Sequence, residues 1–275
     1  MSNIDKTVVE DFGNEWTAFN QSDLSDAELA QAFDQYFDIF PFDSLAPDAA
    51  GFDMGCGSGR WAKFVAARVG TLNCIDPSPM AIEVARRTLS DRSNVHFFVA
   101  SVDGGALQPE SQDFGYCLGV LHHTPNTADG IRSCAKLLKR GAPFLIYLYY
   151  NFENRPLWFR AIWKMSDLVR RAICILPFGI KKLATNALAL VIYLPLARFA
   201  ALWERFGKNV ANFPLADYRR KPFYFMRNDA LDRFGTRLEQ RFSRDEIQTM
   251  LTAAGFDQIE FSNRTPFWVA CARKA

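Results

Sequence analysis

Several things are scarce in this sequence, and each scarcity excludes something. The six cysteines (Cys56, Cys74, Cys117, Cys134, Cys174 and Cys271) include no C-x-x-C pair. Neither a zinc ribbon nor a dithiol redox motif can be written from such spacing. A chain of 275 residues needs no disulfide staples, so scattered thiols read as reduced. Histidine occurs three times, at His96, His122 and His123, which assembles no metal constellation, and no metal is expected. Neither charge sign dominates: 32 Lys and Arg face 30 Asp and Glu, a net of +2. That balance argues against a dedicated nucleic-acid binder. The uncharged run at 183–197 is 15 residues long and contains Pro195, short of the roughly 20 residues a membrane span needs. The opening "MSNIDKTVVEDFGNEW" lacks a basic segment followed by an apolar one. No signal peptide is therefore expected, and the expected location is cytoplasmic.

What is present is an alternation. "GFDM", "TLNCID", "VHFFVA", "DFGYCLGV" and "APFLIYLYY" read as short buried strands. Between them, "RWAKFVAARVG", "PMAIEVARRTLS" and "DGIRSCAKLLKRG" have helical spacing, with Gly70 and Gly141 read as helix stops. Strand–helix alternation implies right-handed βαβ units and a parallel sheet. After some ninety residues the pattern returns at "SRDEIQTMLTAAGF", a helix with a Ser243/Glu246 capping box. "QIEFSNR" and "PFWVACAR" then lie too close together for a helical crossover, so the last strand must run antiparallel. The expected fold is α/β: a doubly wound, Rossmann-like, seven-stranded sheet with an antiparallel last strand and a helical cap insertion. The expected divisions are 1–36, an N-terminal helical lid; 37–150, the core; 151–238, the insertion; and 239–275, the completion of the sheet.

"FDMGCGSG" at 52–59 sits where a doubly wound sheet binds ligands, at the first strand–helix turn. Gly55, Gly57 and Gly59 let the backbone bend tightly and approach a ligand. Asp76 follows 21 residues after Gly55, at the end of the second strand, the usual place for a ribose-hydroxyl partner. The spacing is G-x-G-x-G rather than the G-x-G-x-x-G of pyrophosphate cofactors, and Asp53 precedes it. A carboxylate there repels phosphate and welcomes an ammonium, as S-adenosylmethionine (SAM) presents.

On "DMGCGSG" (53–59), "IDPSPMAIEVAR" (75–86), "ASVDGGALQPESQDF" (100–114), "GVLHHTPN" (119–126), "LLKRGAPFLIYLY" (137–149) and "AAGFDQIEF" (253–261), the chain resembles the class I SAM-dependent methyltransferases of the broad small-molecule group. The resemblance implies Asp53, Gly55 and Gly57 around the methionine part of SAM. It implies Asp76 on the ribose, Pro77 and Ser78 beside the adenine, Ser101 and Val102 at the adenine edge and ring, and Gly119 and Val120 under the sulfonium. Many relatives carry Asp where Ser101 stands. His123 and His122 fall beside the expected methyl and are the candidate catalytic residues, since His is the natural base near neutral pH. A structural turn is the competing reading of that doublet.

Candidate acceptor contacts are Trp16 on the lid, Tyr149 and Tyr150 leaving the fifth strand, and Tyr218, Arg219 and Tyr224 in "YRRKPFYF". The insertion has three readings: a cap over an apolar acceptor, a homodimer interface, or a peripheral membrane contact through 170–206. The function expected is methyl transfer to an O or N atom of a small or lipid-like acceptor. The alternatives are an RNA (tRNA) methyltransferase, which the charge balance disfavours, and a SAM-binding regulatory protein without turnover.

Overall fold

The computed structural model describes residues 3–19 and 25–275. The chain divides into two units, one of residues 1–151 and 238–275, the other of residues 152–237.

In the first unit, helices α1 (Lys6–Ala18) and α2 (Asp26–Phe37) precede the alternation. There follow β1 (Ala50–Met54), α3 (Ala62–Val65), β2 (Thr71–Asp76), α4 (Pro79–Thr88), β3 (Val95–Val99), β4 (Phe114–Leu118), α5 (Thr127–Leu137) and β5 (Pro143–Tyr147). The second unit holds α6 (Leu157–Ile173), α7 (Phe178–Leu188), α8 (Leu194–Arg205) and α9 (Phe223–Gly235). Back in the first unit, α10 (Arg244–Ala253) leads into β6 (Phe256–Phe261) and β7 (Val269–Lys274). The sheet order is β3-β2-β1-β4-β5-β7-β6, parallel except that β7 is antiparallel to both β5 and β6. This is the doubly wound sheet with the antiparallel last strand that the sequence implies.

Each face of the sheet has its own core. On one side Phe33 and Phe37 of α2, Val65 of α3 and Ile82 and Ala85 of α4 pack over Leu72, Phe114 and Tyr116. On the other, Ile131 and Cys134 of α5 and Ile247 and Leu251 of α10 cover Phe52, Ile146 and Ala270. At the centre, β1 and β4 exchange space. Gly51 pairs with Phe114 and Phe52 with Gly115. A Cβ on Gly51 would lie 2.3 Å from the Phe114 ring, and one on Gly115 would lie 2.3 Å from the Phe52 ring. Each ring thus occupies the place of a missing side chain on the neighbouring strand, one on each face.

Three local expectations need correction. The helix expected from Arg60 to Gly70 is one α turn, Ala62–Val65, followed by a 3-10 turn at Ala66–Arg68. The Asn94 side chain ends it by donating to the carbonyls of Ala66 (2.9 Å) and Val69 (3.0 Å). Gly70 is not a helix stop: a Cβ there would meet the Asp48 backbone at 2.6 Å. Gly141 is a left-handed turn residue (φ +80) four residues beyond α5, and it donates to the Lys274 carbonyl. Pro195 does not interrupt its segment. Phe178–Arg205 is one 28-residue helical stretch, and the wide π turn at Ala189–Tyr193 precedes the proline, where the missing N–H and the ring would otherwise strain an α turn.

Within the second unit, α9 is the hub. Met226, Ala230 and Phe234 of α9 pack against Ala189, Tyr193 and Ala197. Arg170 of α6 is buried and braces the unit, donating to the carbonyls of Thr236 and Arg237 and pairing with Asp167.

The Gly115 packing is testable by urea unfolding. Gly115→Ala should lose about 1–3 kcal/mol, because the Phe52 ring has nowhere to move in a packed core. Gly179→Ala, where an added Cβ meets nothing within 4 Å, should not.

Candidate functional site

The site grows out of the turn after β1. Gly55, Gly57 and Gly59 all have positive φ, at +76, +53 and +77, a conformation costly for any residue with a Cβ. The turn is tied to β2: the N–H groups of Gly55 and Cys56 both donate to the Ile75 carbonyl, at 2.7 and 3.1 Å. The Gly57 N–H reaches the Asp76 carboxylate at 3.0 Å. Asp76 accepts a second bond at 2.9 Å from the Ser78 N–H, at the start of α4, where the Ser78 hydroxyl caps the Ala81 N–H. One carboxylate therefore holds the glycine turn and the following helix in register. Its position at the end of β2 is what the sequence spacing implies.

Asp53 lies one strand over. Its carboxylate accepts from the Tyr116 hydroxyl at 3.0 Å, and Tyr116 stands directly opposite it in the β1–β4 register. Asp53 and Asp76 are both buried, at 2% and 8% exposure. Among the described residues neither has a cation within ion-pair distance. Burial dominates both titrations. Asp53 is pushed up to about 8, the Tyr116 bond opposing and the Asp76 charge adding to the shift. Asp76 is pushed to about 6 by burial, against its two backbone donors. Two carboxylates short of positive charge at the carboxyl edge of a parallel sheet make a site ready for a cation.

Around them stand the other residues singled out from sequence. Val120 fills the space beside Gly55, where a Cβ would come within 2.4 Å of its methyl. Gly119, at φ +80, donates to the Tyr147 carbonyl as β4 ends. Pro77 and Val102 are half-buried near the ends of β2 and β3. The Ser101 hydroxyl donates to Asp103 at 2.6 Å, so the acidic acceptor of this corner stands two residues further on.

Helix α1 crosses the same edge. A Cβ on Gly57 would lie 2.7 Å from the Trp16 ring, and one on Gly13 would lie 2.5 Å from the Ser78 hydroxyl. The Asn3 side chain both donates to and accepts from the Asn126 backbone, and the Asn3 N–H donates to Asp103. The N-terminal segment is thus pinned to the loops after β3 and β4, with Trp16 on the glycine turn. The Arg60 guanidinium stacks near both Trp16 (5.3 Å) and Trp61 (4.4 Å).

Past β4, His122 and His123 are buried, at 0% and 4% exposure. His123 Nδ1 lies 2.7 Å from the Leu238 carbonyl, which assigns its proton to Nδ1 and its lone pair to Nε2. His122 stacks on Tyr149 at 3.9 Å and hydrogen-bonds through neither ring nitrogen. Burial, with the charges of His123 and Arg241, holds it neutral well below the usual histidine range. Phe12 of α1 packs on His123 at 4.9 Å, and Tyr36, Tyr147 and Tyr149 continue the aromatic wall. Tyr150 points the other way, against Phe267 and Trp268.

Tyr218, Arg219 and Tyr224 belong to the second unit. Arg219 is a brace there, forked onto Glu204 at 3.0 and 3.1 Å, which Arg220 also engages. Tyr218 packs with Tyr193. Arg219, one of the acceptor candidates in "YRRKPFYF", is thus engaged by Glu204 in this structure. Sequence reasoning missed Tyr116, Arg60 and Asp103. Tyr116 could be found only from strand register, and Asp103 only from the substitution at Ser101.

With this geometry in hand, comparison with known proteins is informative. The family described as "Methyltransferase domain" matches residues 52–141. The chain is 33% identical over 105 residues to a ubiquinone biosynthesis O-methyltransferase of Thiobacillus denitrificans, covering 38% of this chain and 44% of that protein. It is 36% identical over 102 residues to the namesake in Xanthomonas campestris, covering 36% and 43%. The chain spans less than half the length of these curated relatives. Among solved structures, a SAM-dependent methyltransferase from Thermotoga maritima aligns over 98% of this chain and 100% of its own, at 12% identity and a TM-score of 0.52. The methyltransferase SibL aligns over 89% and 55%, at 12% identity and 0.53. These two show the fold.

The Asp53 shift has a sign that stability can read. Its carboxyl is near 3.8 when unfolded and about 8 when folded. The folded chain therefore holds the extra proton between those values, and stability falls as pH rises through that window. Thermal midpoints should drop from pH 5 to pH 8, and Asp53→Asn should flatten much of that slope. An unchanged slope in Asp53→Asn would remove Asp53 as its source.

Proposed function

From the premise that this chain carries a class I SAM-dependent methyltransferase domain, we propose that it transfers a methyl group to an O or N atom of a small or lipid-like acceptor, with oxygen preferred. The observation that carries this reading is the pair of buried carboxylates, Asp53 and Asp76, beside a positive-φ glycine turn, with no cation in ion-pair reach among the described residues. That donor set fits a phosphate-free, cationic nucleoside. Asp76 would hold the ribose hydroxyls while keeping its bonds to Gly57 and Ser78, since each carboxylate oxygen has a second lone pair. Asp53 and the turn N–H groups would face the amino-acid end. Asp103 or Ser101 would meet the adenine amino group. Trp16 would close the site from above.

SAM, when bound, supplies a methyl carbon already activated by its sulfonium. What remains for the protein is alignment, exclusion of water, and removal of a proton where the acceptor has one to lose. The Leu238 carbonyl fixes the His123 tautomer so that Nε2 takes the proton of a hydroxyl acceptor. His122, neutral and stacked on Tyr149, positions that ring. The aromatic wall of Phe12, Tyr147 and Tyr149 suits a flat or apolar acceptor. The preference for oxygen rests on the relatives named as O-methyltransferases. The helical unit 152–237 would serve as the cap: the chain leaves the sheet unit just after Tyr149 and Tyr150 and re-enters at Leu238, the residue that holds His123.

Two variants separate binding from chemistry. Asp76→Ala should weaken SAM in calorimetry by about tenfold or more, through lost ribose bonds and a loosened turn. His123→Gln should keep SAM affinity but lower turnover of a hydroxyl acceptor by roughly a hundredfold. Unchanged SAM affinity in Asp76→Ala would remove the cofactor assignment, and full activity in His123→Gln would remove the base.

A further inference from the structure

The near-neutral total charge hides a division. Residues 152–237 carry 16 Lys and Arg against 6 Asp and Glu, a net of +10, while the rest of the chain carries 16 against 24, a net of −8. Apolar exposure divides the same way. Of 18 exposed large apolar side chains among the described residues, 16 lie in the helical unit.

Both long stretches of that unit are apolar on two sides. On α6, Phe159, Trp163 and Ile173 belong to the more covered side, yet Trp158, Ile162, Met165 and Val169 also recur at helical spacing as an exposed stripe, Met165 at 69%. Arg160 and Lys164 run along its flank at the same period. On α7–α8, Thr185, Ala189, Tyr193 and Ala197 form the buried stripe. Leu183 (72%), Val191 (69%) and Phe206 (72%) stand out to solvent, with Arg198, Arg205 and Lys208 exposed beside them. The acids nearest these helices are already committed, Asp167 to Arg170 and Arg171 and Glu204 to Arg219 and Arg220, so the exposed positive charge is not cancelled locally.

We propose that the exposed apolar faces of α6 and α7–α8, flanked by their basic residues, dock residues 152–237 onto the interface of an anionic lipid bilayer. The charge selects this occupant. A second copy of the same unit would bring +10 against +10. An RNA would meet a surface on which 12 of the 16 exposed apolar side chains are Leu, Ile, Val or Met and offer no stacking, whereas an anionic bilayer accepts both the cations and the apolar side chains, aromatic ones included. The helix lies on the membrane rather than crossing it. Phe178–Arg205 is long and apolar enough to cross by length and composition. However, its uncharged run of 15 residues spans only about 22 Å, against roughly 30 Å of hydrocarbon. Lys181 and Thr185 are also buried within the unit on the stripe that faces α9. This docking does not depend on methyl transfer.

Vesicle flotation of the full chain tests it, with no SAM present. The protein should float with phosphatidylcholine–phosphatidylglycerol vesicles and about tenfold less with phosphatidylcholine alone, and high salt should weaken the binding. Trp158 and Trp203, both exposed, should shift their emission to the blue on binding. Met165→Ser/Leu168→Ser and Leu183→Ser/Val191→Ser alter solvent-facing positions. They should cut flotation about tenfold or more while thermal midpoints and SAM affinity stay unchanged. Three results would overturn the proposal: no flotation with anionic vesicles; a dimer in sedimentation that Met165→Ser/Leu168→Ser dissociates; or tighter retention by single-stranded RNA than by anionic vesicles.

Discussion

Two carboxylates buried at the ends of neighbouring parallel strands, with no cation in ion-pair reach among the described residues and only the Arg60 charge acting on Asp53 from further off, are the constraint from which the rest of the first unit can be understood. Asp76 ties the glycine turn to α4 through two backbone donors. Asp53 is held by a neutral phenol rather than an arginine. Burying charge this way is costly and is relieved by keeping a proton or by meeting a positive ligand. The positive-φ turn, the Trp16 ring against it and the Asn3 strap all converge on the same edge. The arrangement fits the proposed site for a cationic ligand.

The second unit obeys a different rule. It has its own small core around α9 and its own buried brace at Arg170. It also leaves apolar side chains in solvent at a density the sheet unit avoids. An acidic sheet unit joined to a basic, apolar helical unit is consistent with the two proposals, methyl-donor binding in the first and docking on an anionic bilayer in the second.

Much of the first unit was legible in the sequence because its signals are local. Glycines that need positive φ, an acid at a strand end and a capping box at Ser243 each carry their own mechanism, and two strands too close for a crossover fix the antiparallel end. What was not legible depends on partners distant in sequence. Tyr116 reaches Asp53 only through strand register. Asn94 ends the helix after Trp61 from 28 residues away. Glu204, which sits in the fork of Arg219, lies 15 residues before it. The whole-chain charge of +2 gave no hint of +10 and −8, because a sum cannot report its own partition.

The central claim is that Asp53 holds a proton in the free protein and gives it up to a cationic ligand. Calorimetry of SAM binding at pH 7, repeated in buffers of different ionisation enthalpy, counts that proton. With Asp53 near 8 before binding, the account predicts release of a large fraction of one proton on binding, lost in Asp53→Asn. Proton uptake, or a heat independent of the buffer, would contradict it.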